Sequence, residues 1–136
     1  MRGLAPFPSS LALGVVAIVV LFLLSGPSAQ VARLARAIAT AEGFFLPCSR
    51  PSRANNPGSI ITPEWTLIQF PSASAGWDAL YRQLNLIFSG GSRHYSPQMT
   101  IAEMAKVYTG ELSYMDWARN VARVLGVTTD TRLENV

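Results

Sequence analysis

The chain has 136 residues, 49% of them apolar and 14% charged, with a net charge of +3. That length allows one domain and leaves no room for two full cores, and that balance is too apolar for a disordered chain. Its ten arginines and one lysine are scattered, which argues against a nucleic-acid surface, and its one cysteine, Cys48, rules out an intrachain disulfide.

The apolar excess has an address. Residues 11–24 form an unbroken run of 14 apolar residues, within the usual length of a signal-peptide core and short of the roughly 20 needed to span a bilayer. Arg2 supplies the preceding positive charge, and Pro6 and Pro8 break any earlier helix. Small residues at 25–29 suit a cut after Ala29, whereas Pro27, at the third position before that cut, disfavours it. An uncleaved anchor is therefore the alternative, a hydrophobic helix held in the inner membrane. Arg2 on one flank and Arg33 with Arg36 on the other leave the positive-inside rule nearly balanced. The expected division is 1–29 as signal peptide or signal anchor and 30–136 as the folded domain, which holds ten basic and all eight acidic residues.

Beyond the leader the pattern predicts a mainly α domain of four helices with one small β-hairpin. In 30–44, Val31, Leu34, Ala35, Ile38 and Ala41 share one helix face, and Gly43 is a terminator. A breaker-rich loop follows over 46–58, with Asn55, Asn56, Pro57 and Gly58 as its tightest turn. β-Branched and aromatic residues at 60–61 and 65–70, separated by Thr62, Pro63 and Glu64, predict the hairpin. The second helix covers 73–89, with Trp77, Leu80, Tyr81, Leu84 and Phe88 on one side and Gly90 and Gly91 ending it. The third starts at a capping box formed by Thr100 and Glu103, and the fourth at Ser113 and Asp116, running to Gly126. The tail 127–136 is polar, with fraying or one more helical turn as its two expected states.

Glu42 stands out among the carboxylates. It lies four residues after Ile38 and seven after Ala35, on or beside the apolar stripe. It also falls in the last turn, at the negative end of the helix dipole. Both settings disfavour the ionised form, and a carboxyl group kept protonated beside an open loop is what a general acid for glycosidic cleavage requires. A glutamate that curls into water at a fraying helix end fits the same pattern. His94 stands without cysteine or histidine partners at ligand spacing, so neither a metal site nor a cofactor is expected.

Five blocks in order then resemble a known family. They are Ala41-Glu42-Gly43-Phe44-Phe45; the run 53–60, RANNPGSI; the run 70–80, FPSASAGWDAL; the run 99–108, MTIAEMAKVY; and the run 117–127, WARNVARVLGV. Together they resemble the lysozyme-like domains of bacteriophage virion muralytic proteins and their bacterial relatives. The resemblance implies a lysozyme-like fold acting on peptidoglycan, with Glu42 in the place of the catalytic acid at the end of the first helix. Lytic transglycosylases carry a serine after that glutamate. Here Gly43 follows, which weakens the transglycosylase assignment and leaves hydrolysis open.

A two-carboxylate hydrolase needs a second acidic group. Glu64, in the expected hairpin turn, is favoured over Asp78 at the start of the second helix, and a plain surface role is the alternative for both. Asn55 and Asn56 offer amides suited to N-acetyl and hydroxyl groups, or else serve the turn itself. Trp65 is the best sugar-stacking candidate among the three tryptophans, and Tyr108 either reaches the cleft or packs in the core. The expectation is thus an exported, periplasmic or cell-envelope monomer that cleaves peptidoglycan glycan strands. A non-catalytic wall-binding module of the same fold, membrane-tethered or free, is the alternative.

Overall fold

A computed structural model describes residues 26–110 and 112–136. The expected leader run 11–24 lies outside the described residues. Those that are described form a mainly helical domain, and among them no helix is long and apolar enough to cross a membrane. Its helices are α1 (Ala29–Ala41), α2 (Arg50–Arg53), α3 (Ala73–Phe88), α4 (Ile101–Thr109) and α5 (Tyr114–Leu125), followed by a 3₁₀ turn at Leu133–Asn135.

α1 is the central element. Val31, Leu34, Ala35, Ala37, Ile38 and Ala39 are all buried, more than one amphipathic stripe supplies. It packs against both α5 and α3, and its small alanines let those neighbours approach closely, while α4 packs against α5. Leu80, Leu84, Ile101, Met104 and Val121 complete the core, each contributing about 1.5–3 kcal/mol by leaving water. The Ser28 hydroxyl accepts from the Val31 amide, so the helix takes its cap from a residue on the leader side of the expected cleavage point.

α1 stops three residues earlier than its apolar pattern allows, because Gly43 turns left-handed at φ +76°. The Phe44 amide donates to the Ala39 carbonyl and the Gly43 amide to the Thr40 carbonyl, a complete Schellman closure. Glu42 thus becomes the C-cap residue, and the glycine that departs from the serine of transglycosylases has a local backbone reason.

The loop expected over 46–58 contains the short helix α2, capped by Ser49 accepting from the Ser52 amide and started by Pro51. Four non-glycine residues, Cys48, Asn55, Ser59 and Trp65, take positive φ in this part of the chain. Such conformations persist only where surrounding bonds hold them. Asn56 supplies such bonds for the stretch between Asn55 and Ser59. Fully buried, it donates through Nδ2 to the Ile60 and Ile68 carbonyls at 2.8 and 2.9 Å and accepts the Ile60 amide at 2.8 Å. The two extended segments meet at a single antiparallel bridge, Ile61 with Leu67, and among the described residues no longer strand forms.

α3 is set against this loop through Gly76, where a Cβ would stand 1.8 Å from the Asn55 carbonyl oxygen. α4 begins at Thr100 with both halves of the expected capping box. α5 begins at Ser113 without one: Ser113 makes no cap bond, and Asp116 pairs with Arg119 at 3.0 Å on the surface instead. The tail docks. Leu133 is fully buried, Thr131 and Thr129 carbonyls accept the Ile101 and Ala102 amides, and Gln30 reaches across from α1 to the Leu133 and Glu134 carbonyls.

Candidate active site

Glu42 leaves the end of α1 half-exposed, and its Oε1 accepts a 2.8 Å hydrogen bond from Trp117 Nε1 on α5. The bond fixes one carboxylate oxygen and leaves Oε2 without a hydrogen-bond partner among the described residues. The Trp117 ring stacks on Tyr108 of α4 at 4.9 Å, and the Tyr108 hydroxyl donates to the Gly58 carbonyl. One continuous series of contacts therefore ties the carboxylate to α5, then α4, then the 55–59 turn. Burial, followed by the charge of Glu42 and by Tyr95, holds the Tyr108 phenol well above its ordinary range, so it stays a hydrogen-bond donor at neutral pH.

On the chain-adjacent side of Glu42, Phe44 and Phe45 meet Trp77, edge-on at 5.6 Å and tilted at 6.2 Å, and Trp77 stacks on Tyr81. The Arg36 guanidinium sits over the Phe45 ring, 5.4 Å from its centroid. Aromatic side chains thus lie on both sides of the end of α1: Phe44 and Phe45 just past Glu42, packed on Trp77 of α3, and Trp117 of α5 bonded to the carboxylate and stacked on Tyr108 of α4.

The other expected site residues are not gathered round it. Glu64 and Asp78 are both exposed, Glu64 at the tip between the bridged segments and Asp78 in the second turn of α3, past the stretch where it would serve the helix dipole. Asn56 offers nothing to a glycan, because every polar atom of its amide is engaged with backbone and shielded from water. Asn55 donates to the Phe70 carbonyl at 3.1 Å, again holding the turn. The Tyr108 hydroxyl is spent on Gly58. Trp65 alone is where a stacking residue belongs, 81% exposed.

Trp117 is the site residue that the sequence pattern does not single out. It does pack against the core, yet its indole N–H points at a carboxylate 75 positions earlier. No local spacing signals such a contact. Among the described residues no three histidine, cysteine or acidic side chains stand together as metal ligands. Compared with known proteins, the chain matches no family model, no curated protein and no solved structure.

Proposed function

We propose that the chain is an exported enzyme of lysozyme-like kind that cleaves the glycan strands of peptidoglycan, with Glu42 donating a proton to the leaving glycosidic oxygen. The observation that carries this reading is the Glu42 carboxylate at the end of α1, with Oε1 held by Trp117 and the group still open to solvent. Trp117 engages Oε1, which leaves Oε2 as the oxygen available to the glycosidic oxygen. The resemblance of the five sequence blocks supports the same substrate. The exposed position of Glu64 favours a mechanism with one acid, in which water or the substrate's own substituents complete the displacement.

The export part of this reading rests on the run 11–24, acting either as a cleaved signal or as an anchor in the inner membrane. The test is turbidity clearing of purified cell walls by the full chain. Glu42→Gln keeps the shape and removes the acid, and it is expected to lower clearing at least a hundredfold, within the range attributed to one acid–base group. Clearing at the parent rate by Glu42→Gln overturns the assignment. A second reading, a non-catalytic wall-binding module, draws on the exposed Trp65; retention on sedimented walls without release of reducing ends or anhydro-sugars selects it.

A further inference from the structure

The positive charge of the chain is concentrated at the end that bears the apolar run. Residues 1–63 hold five arginines and a single carboxylate, Glu42, whereas residues 64–136 hold six basic and seven acidic residues. Four of the five, Arg33, Arg36, Arg50 and Arg53, are exposed, and none of these four forms an ion pair among the described residues. The apolar run ends five positions before Ala29, where α1 starts. That length of chain reaches at most about 18 Å, so a bilayer that holds the run lies beside α1.

α1 turns one narrow stripe to water. Ala29, Arg33 and Arg36, with the half-buried Thr40, follow one another at helical spacing, and buried residues close the rest of the helix. The stripe ends in apolar side chains. The Arg36 guanidinium lies 5.4 Å from the centroid of Phe45, Phe45 rests on Trp77, and Phe45 and Leu46 are 50% and 64% exposed. The turn that presents them is fixed, since the Leu46 amide donates to the Gly43 carbonyl and the Ser49 amide to the Leu46 carbonyl. Cations that run into a protruding phenyl and leucyl group suit a lipid interface, with guanidiniums among the headgroups and apolar groups at the acyl boundary. Glu42 stands elsewhere. It follows Arg33 by nine positions, about two and a half turns, which places it on the opposite side of α1, where Trp117 holds it.

We propose that the outer stripe of α1, with Phe45 and Leu46 at its end, docks on the surface of an anionic bilayer. Headgroup phosphates attract the unpaired guanidiniums, each worth about a fivefold shift toward the docked state. The two apolar side chains enter the acyl boundary. The helix then lies along the surface, and the carboxylate on its far side faces away from the lipid. Docking stands apart from the glycan reading, because it uses neither the acid nor a sugar.

Cys48, exposed and the one thiol of the chain, lies two positions past Leu46 and carries the reporter. The full chain, labelled there with an environment-sensitive fluorophore, is reconstituted in vesicles of phosphatidylcholine alone or mixed with anionic phosphatidylglycerol. In the anionic vesicles the emission is expected to shift to the blue and to be quenched by brominated acyl chains, whereas in the neutral ones the label stays in water. Arg33→Gln combined with Arg36→Gln should lower the docked-to-free ratio about twentyfold. Lys106→Gln removes a charge from α4, which packs against α5, and should leave the ratio nearly unchanged. Phe45→Ser combined with Leu46→Ser should abolish the blue shift although the run still keeps the chain on the vesicle. All the substituted side chains are exposed, so the fold is expected to survive, which far-ultraviolet circular dichroism checks. Added salt should release the label from the anionic vesicles. A label that stays in water on anionic vesicles, equal insertion into neutral and anionic ones, or a loss in Lys106→Gln as large as in the arginine pair overturns the proposal.

Discussion

Trp117 does two things with one side chain: its ring face supports Tyr108 and its N–H orients Glu42. Trp117→Phe separates them, keeping an aromatic face and removing the donor. Wall clearing is expected to fall about tenfold with a melting temperature within a few degrees of the parent, since loss of one hydrogen bond costs about 1 kcal/mol. Unchanged clearing in Trp117→Phe would show that the bond does not position the acid. Asn56 is the contrasting residue, structural where chemistry suggested a ligand. Asn56→Ala leaves the Ile60 amide and the Ile68 carbonyl without partners, while the Ile60 carbonyl keeps the Ile68 amide, and urea unfolding is expected to show a loss of about 2–4 kcal/mol. The difference between the two residues is not written in their neighbours along the chain. Asn56 sits in a run that reads as a turn, and only the convergence of Ile60 and Ile68 on its amide shows that the turn is built around it.

Among the elements, α3 and α4 are legible from sequence because their signals are local: apolar residues at helical spacing, Ser72 and Thr100 as caps, Glu103 closing the box. α2 is hidden in a stretch that holds three prolines, since four residues cannot display a period. The expected hairpin shrinks to one bridge, in which two backbone bonds, Thr62 amide to Thr66 carbonyl and Ile68 amide to Ile60 carbonyl, join the arms and the buried Asn56 amide ties them further. The start of α1 carries a prediction. A chain beginning at Gln30 loses both the Ser28 hydroxyl cap and the Ser28 carbonyl that accepts the Ala32 amide. Ser28→Ala is expected to cost about 1 kcal/mol in denaturant unfolding, and the chain begun at Gln30 more than that. Gly76→Ala, by contrast, drives a methyl into the Asn55 carbonyl and separates α3 from the loop that bears Trp65. It should appear as loss of soluble folded protein, not as a modest shift in melting temperature.

At the scale of the whole molecule, the partly buried Tyr95 phenol makes stability depend on alkaline pH. Burial pushes the Tyr95 hydroxyl from its ordinary 10.0 up to about 12. The folded chain thus holds that proton more tightly than the unfolded one. The stabilisation is complete below pH 10, where both forms are protonated, and is lost as the pH rises through 12. Urea midpoints measured between pH 8 and 12 should fall over that upper window, and less steeply in Tyr95→Phe. The docked tail has a consequence of another kind. Carbonyls at Thr129 and Thr131 satisfy the first amides of α4, the backbone at Leu133 and Glu134 holds Gln30, and Leu133 fills the core. The beginning and end of the domain are therefore one structural unit, separated by about a hundred positions of chain. A ribosome must finish residues 127–136 before that unit can close. Until then the nascent polypeptide lacks the contacts that cap α4 and hold Gln30.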